Sequence, residues 1–142
     1  MRVSSERRGI EKRVDYWTLA ELRYSIRRFL RARELAARAA GIEPQQYLLL
    51  LQVKALEGRK PTTIGALAER LQLQHHSTVG LVDRLARRGY IARRRDSRDG
   101  RGVLVELRPA GEAVLRRLAL FSIAELRTEG PALVASLRQL IG

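Results

Sequence analysis

The sequence contains no cysteine, which excludes disulfides, thiolate metal sites and redox sensing through a thiol. Only four prolines are present, Pro44, Pro61, Pro109 and Pro131. Each is expected to open an element, because proline in the first turn of a helix loses no hydrogen bond. Long hydrophobic runs are also missing. The longest wholly apolar stretch, Tyr47 to Leu51, falls far short of the roughly 20 residues that a bilayer span needs. Residues 1–9 are charged and lack the apolar centre of a secretory signal. These absences lead to the expectation of a soluble, cytoplasmic protein without membrane contact.

Reactive constellations are equally scarce. No Ser-His-Asp order, glycine-rich phosphate loop or metal-ligand spacing occurs, so no catalytic residue, metal or cofactor is assigned and the chain is not read as an enzyme. Asp83, Asp96 and Asp99 sit among arginines that favour the ionised form, unlike a catalytic carboxylate pair. His75 and His76 are adjacent, and neighbours on a helix point about 100° apart, so they do not readily share one ion.

Positive charge is abundant. Lysine and arginine number 28 against 15 acidic residues, a net charge of +13 on 142 residues. A surplus of this size points to a polyanion, most commonly nucleic acid. Residues 1–41 and 42–108 each carry +6 and residues 109–142 only +1. Arg84 to Arg101 alone holds eight arginines against Asp96 and Asp99, which is the whole surplus of the middle segment. A merely solvated face mixes signs and mixes lysine with arginine. Arginine alone suits bidentate phosphate and guanine contacts and narrow minor grooves.

With 45% hydrophobic residues the chain can also bury a core. Leu19, Leu22, Ile26, Phe29 and Leu30 recur at helical steps, and Val14 and Trp17 extend the stripe backward, so a helix is expected from about Ile10 to Ala40 with Gly41 as its stop. About 30 residues is long for a small domain, and a second copy of the chain is the simplest cover for its apolar face. A second helix is expected from Pro44 to Glu57, with Tyr47, Leu48, Leu50, Leu51, Val53 and Leu56 inward. Thr63 can cap a short helix over Ile64 to Leu71. After a turn at Gln72 to Gln74 another helix spans about His75 to Arg88, with Val79, Val82 and Leu85 as its apolar positions and Gly89 as its stop. Tyr90 to Arg95 and Val103 to Arg108 read as strands around the polar turn Asp96-Ser-Arg-Asp-Gly-Arg-Gly102. A helix from Pro109 to roughly Arg127, a break at Gly130-Pro131 and a short final helix complete the chain.

Two short helices joined by a tight turn and followed by a basic hairpin form a reading head. The second helix fits the major groove, and the residues near its start reach base edges. Here those are Gln74, His75, His76, Ser77 and Thr78; Gln74 and Ser77 could alternatively serve only as helix caps. Tyr16, Trp17, Tyr24 and Tyr47 have two open readings, as core or as the lining of a pocket for a small aromatic effector.

The run TTIGALAERLQLQHHSTVGLVDRLARRGYIARRRDSRDGRGVLVELRPAGEAVL resembles the core of the MarR family of bacterial regulators, over about Gly41 to Leu120. Its most specific parts are STVGLVDRLARRGYI and the hairpin RRRDSRDGR followed by VELRPAG, where Arg108-Pro109 replaces the usual helix cap. The resemblance implies a mainly α fold with a small β-wing: a winged helix-turn-helix domain over 42–108, with helical dimerisation regions at 1–41 and 109–142. It further implies a homodimer on a pseudo-palindromic double-stranded DNA operator, acting as a repressor that a small effector releases. On this pattern Arg98 enters the minor groove, Asp96 shapes the wing by pairing with Arg84, and Arg94, Arg95 and Arg101 lie along phosphates. Two rival classes remain open: a basic architectural protein binding DNA or RNA without sequence preference, which Arg23, Arg27, Arg28, Arg31 and Arg33 favour, and a pure protein-interaction module.

Overall fold

The structure, a computed structural model, describes residues 14–97 and 102–142. In order along the chain it contains α1 (Tyr16–Ala39), α2 (Pro44–Leu56), α3 (Ile64–Leu71), α4 (His75–Arg87), β1 (Ile91–Arg95), β2 (Val103–Leu107) and α5 (Pro109–Ile141). The fold is mainly helical with one two-stranded antiparallel sheet. The chain divides into two compact units, one spanning Arg33–Ile123 and the other combining Met1–Ala32 with Ala124–Gly142.

The larger unit is a winged helix. Pro44 occupies the first turn of α2, and Gln46 Oε1 accepts the Glu43 N–H at 3.0 Å, satisfying a donor at the helix start. Tyr47, Leu49, Leu50, Val53 and Leu56 of α2 are buried. Leu48, expected inward, is 43% exposed; in a run of four leucines apolarity cannot set the phase, and the steps 46, 49, 50 and 53 do. Thr63 caps α3, its hydroxyl accepting the Ala66 N–H at 3.1 Å. The tight turn into α4 places Gln72 in the left-handed region at φ 55.

Helix α4 buries Thr78, Leu81, Val82 and Leu85. Val79, expected on this stripe, is 36% exposed, because a strict three-residue spacing drifts about 60° per step while the 78, 81, 82, 85 pattern holds one face. Gly89 ends the segment with φ 77. The strands pair from Ile91 opposite Leu107 to Arg95 opposite Val103. A third segment joins them: the Val105 N–H donates to the Thr62 carbonyl at 2.9 Å, and the Thr62 hydroxyl donates to the Val105 carbonyl at 2.6 Å. Ala37, Ile42, Leu49, Leu50, Leu67, Leu85, Ile91, Val105, Leu115 and Leu118 belong to one core cluster. Each fully buried leucine or isoleucine of such a cluster contributes about 1.5–3 kcal/mol.

One glycine is required by close approach. At Gly111 a Cβ would lie 2.1 Å from the Tyr90 carbonyl oxygen, which itself accepts the Arg108 N–H at 3.0 Å. The start of α5 is thereby seated directly on the backbone that leads into β1.

The smaller unit is a pair of helical segments, from α1 and α5. Asp15 caps α1, its carboxylate accepting the Thr18 N–H at 2.9 Å and the Thr18 hydroxyl at 2.6 Å. Gln139 donates to the same carboxylate at 2.9 Å, and Arg28 pairs with Glu129 at 3.4 Å. This cap sets the start of α1 at Tyr16 and leaves Val14 outside the helix; the expected start near Ile10 lies outside the described residues. Trp17 does not extend the apolar stripe and is 75% exposed, since a residue two positions from Leu19 points to the opposite side. No large hydrophobic side chain of this unit is buried among the described residues. Tyr16, Leu19, Tyr24, Ile26, Leu30, Leu126, Val134 and Leu137 are all exposed.

The expected break at Gly130-Pro131 does not occur. Helix α5 continues to Ile141 with Pro131 inside it, and Gly130 keeps a negative φ. Proline forfeits the hydrogen bond to the carbonyl four residues back, at a cost of about 3 kcal/mol. Here the helix-favouring Ile123 to Arg127 on one side and Ala132 to Leu140 on the other carry the helix through it.

Candidate nucleic-acid interface

All the described candidate contacts lie in the winged-helix unit. The stripe that α4 buries leaves its other faces outward, so Gln74, His75, His76 and Ser77 are exposed at its start, and Arg84 and Arg87 further along. Gln74 has the extended backbone of an N-cap, with φ −69 and ψ 153, but its side chain makes no capping bond. The helix start therefore presents hydrogen-bonding side chains that its own backbone does not consume. Thr78 departs from the expectation: it is fully buried, and its hydroxyl donates to the Gln74 carbonyl at 3.0 Å. It positions the helix start from inside.

Three residues missed on this face are Val79, Gly80 and Asp83. A Cβ at Gly80, in mid-helix, would lie 3.4 Å from the Arg84 guanidinium, an ordinary contact, so the Arg84 side chain lies along this face of the helix. Asp83 forms an ion pair with Arg93 of β1. This links α4 to the hairpin directly. Both partners are about 40% exposed, so the link is worth no more than about 1 kcal/mol, yet it orients two elements. The signal for Asp83 was present, as it lies outside the 78, 81, 82, 85 stripe.

Alternation along β1 sorts the wing arginines. Arg93 and Arg95 share a strand face with buried Ile91, while Arg94 points to the other side. Arg94 pairs with Glu106 at 3.7 Å and lines an open polar cleft of about 600 Å³ with Thr62, Glu57 and Glu112. Arg95 is exposed and enters no ion pair among the described residues. Asp96 is half-buried at the start of the turn, and its N–H donates to the Gly102 carbonyl at 2.9 Å. Arg98 and Arg101 lie outside the described residues. Arg88 is exposed but engaged within the chain: it donates to the Gly41 carbonyl at 2.7 Å and to Gln46 at 3.2 Å, and packs 4.9 Å over the Tyr90 ring.

The aromatic residues fall into different settings. Tyr47 is buried and its hydroxyl bonds Ser122 Oγ at 3.2 Å, a core role, whereas Tyr16, Trp17 and Tyr24 of the smaller unit are exposed. Among the described residues no group of acidic, histidine or cysteine side chains could hold a metal ion, and no helix is long and apolar enough to cross a membrane.

Comparison with known proteins agrees with this geometry. Residues 40–102 match the MarR family, a span running from the end of α1 through the hairpin turn. A stretch of 72 residues is 36% identical to an uncharacterized HTH-type transcriptional regulator, YcgE, of Bacillus subtilis; it covers 51% of this chain and 45% of that protein. The matched region thus spans less than half the length of that relative. Among solved structures, Staphylococcus aureus MepR, a transcription regulator of a multidrug efflux pump, superposes with a TM-score of 0.74 at 18% identity, covering 90% of this chain and 97% of MepR. Escherichia coli MarR in its apo form gives 0.69 at 22% identity over 84% and 89% of the two chains. A mutant MarR complexed with operator DNA gives 0.68 at 22% identity over 84% and 86%. Over residues 40–102, its helix-turn-helix and hairpin, this chain matches the MarR family.

Proposed function

We propose that the protein is a sequence-specific transcriptional regulator that binds double-stranded DNA as a homodimer on a pseudo-palindromic operator. One observation carries this reading: α4 presents an uncapped, hydrogen-bonding start, and an ion pair ties the same helix to an arginine-bearing hairpin. In this reading His75, His76, Ser77 and Gln74 meet base edges in the major groove and Arg84 supports them. Arg94, Arg95 and Arg101 lie along phosphates, Arg98 enters the minor groove and Asp96 shapes the turn. Dimerisation is assigned to residues 1–41 and 109–142, and the exposed apolar side chains of α1 and α5 support this. A repressor released by a small effector, working in the cytoplasm, is the form that the match to the MarR family favours.

Selection of bound sequences from random duplexes tests the reading. Two related half-sites about one helical turn apart are expected from a symmetric dimer. Recovery of unrelated sequences would favour the second reading, an architectural protein indifferent to sequence, which the outward arginines of α1 support.

A further inference from the structure

The five arginines clustered in the α1 sequence do not behave alike. Arg28 pairs with Glu129 and lies 5.6 Å from the Tyr24 ring centre. Arg33, half-buried in the larger unit, packs 5.1 Å over Phe121 and donates to the Ser122 carbonyl at 3.5 Å. Arg23, Arg27 and Arg31 are left. All three are exposed, all belong to the smaller unit, and none has an ion pair or hydrogen bond among the described residues.

Their spacing of four places them in one column, with Arg23 to Arg31 rising about 12 Å along the helix. The column stands about a quarter of a turn from the apolar positions Leu19, Leu22, Ile26 and Leu30, so a partner covering that stripe need not cover the arginines. Glu21 is two residues from Arg23 and points away. Like charges four apart weaken an isolated helix, and a face used only for solubility would interleave glutamate, as the sequence does with Arg28 and Glu129 across the helix pair. A duplex strand presents a regular array of phosphates, and three evenly spaced guanidiniums, which suit phosphate, match such an array.

We propose that the Arg23–Arg27–Arg31 column is a second DNA-binding surface, separate from α4 and the hairpin, which grips the phosphate backbone of a duplex without regard to sequence. An acidic protein surface fits less well, because an evenly spaced column of bidentate donors matches a regular phosphate array better than irregular carboxylates.

The test uses the full chain with R23Q/R27Q/R31Q, which keeps a polar, helix-compatible side chain, removes the charge and relieves repulsion. Binding to a random-sequence duplex of about 40 base pairs is titrated over a series of salt concentrations, beside wild type and Arg84→Ala. The proposal expects the triple variant to lower the slope of log K against log salt by about 3 for each column that engages the duplex, roughly 0.9 per lost phosphate contact. It expects an affinity loss of the same fold for operator and random DNA, with unchanged helicity and sedimentation. Arg84→Ala should lose discrimination and keep most of that slope. An unchanged slope in the triple variant would overturn the proposal while leaving the operator reading intact, whereas failure of wild type to bind any duplex would defeat both. Loss accompanied by altered sedimentation would make the column an assembly surface. Polyglutamate retained by wild type and lost by the variant, with the DNA slope unmoved, would make it a site for acidic protein. Either result overturns the proposal.

Discussion

The two units of this chain solve the problem of apolar surface in opposite ways. The winged-helix unit buries Leu49, Leu50, Leu67, Leu85 and Ile91 almost completely, whereas the helix pair leaves Leu19, Ile26, Leu30, Leu126 and Val134 exposed. Two helical segments joined by a cap, a glutamine contact and an ion pair have too little buried area to hold together alone. The difference teaches that the helix pair leaves an apolar face open, as the proposed dimerisation requires, while the winged-helix unit closes a core of its own. Such a core suits base recognition, because side chains at the start of α4 must be held in place by packing beneath them.

The largest expected effect breaks the finished unit. Gly111→Ala drives a methyl group into the Tyr90 backbone, and since the contacted atom is main chain it cannot swing aside. A loss of about 3 kcal/mol or more is expected in chemical denaturation. A variant as stable as wild type would show that α5 is not seated there. Leu85→Ala should follow, at about 2–5 kcal/mol for a fully buried leucine.

The comparison sharpens when the same kind of change is made in the other unit. Leu30→Glu removes no buried contact within the chain, so it should leave the folding of the winged-helix unit unchanged. By sedimentation it should convert a dimer to monomers at micromolar concentration. A dimer persisting unchanged would assign the exposed stripe of α1 some other role. Next in size, Arg98→Ala should weaken operator binding by about 1–3 kcal/mol at fixed salt if it occupies the minor groove; a mobility-shift titration showing full affinity would reject that placement.

Neighbouring residues on α4 offer a finer contrast. Ser77→Ala should shift the preferred bases with little change in stability. Thr78→Ser, beneath it, removes a buried methyl and should cost about 1 kcal/mol of stability while preserving base preference. The smallest effect concerns acid. Hydrogen bonds from the Thr18 side chain, then the Thr18 backbone, lower the Asp15 pKa from its ordinary 3.8. The stabilisation it provides is therefore present above pH 3.8 and is lost as pH falls through the lowered value. Asp15→Ala should forfeit that stabilisation at neutral pH and flatten that part of the acid-unfolding curve.

Much of this was legible in the sequence, for reasons that differ by element. Thr63 as a cap, Gly89 as a stop and the paired strands either side of Asp96 to Gly102 follow from local chemistry that tertiary packing reinforces. The charge run from Arg84 located the basic face, but sequence could not divide it. Only the fold ties Arg88 to Gly41 and Gln46, turns Arg94 away from Arg93 and Arg95, and couples Arg93 to Asp83. Thr78 was read as base-facing because polar residues at a helix start usually look outward; its hydroxyl instead satisfies itself on the Gln74 carbonyl, which lets it enter the core. Pro131 was read as a break from its intrinsic cost, which good helix formers on both sides override.

The central claim is that α4 and the hairpin together distinguish one DNA sequence from others. The most direct measurement is the ratio of dissociation constants for a selected site and a random duplex of equal length, taken at one physiological salt concentration. A ratio of about 1,000 or more is expected of a specific regulator; a ratio near one would contradict the account.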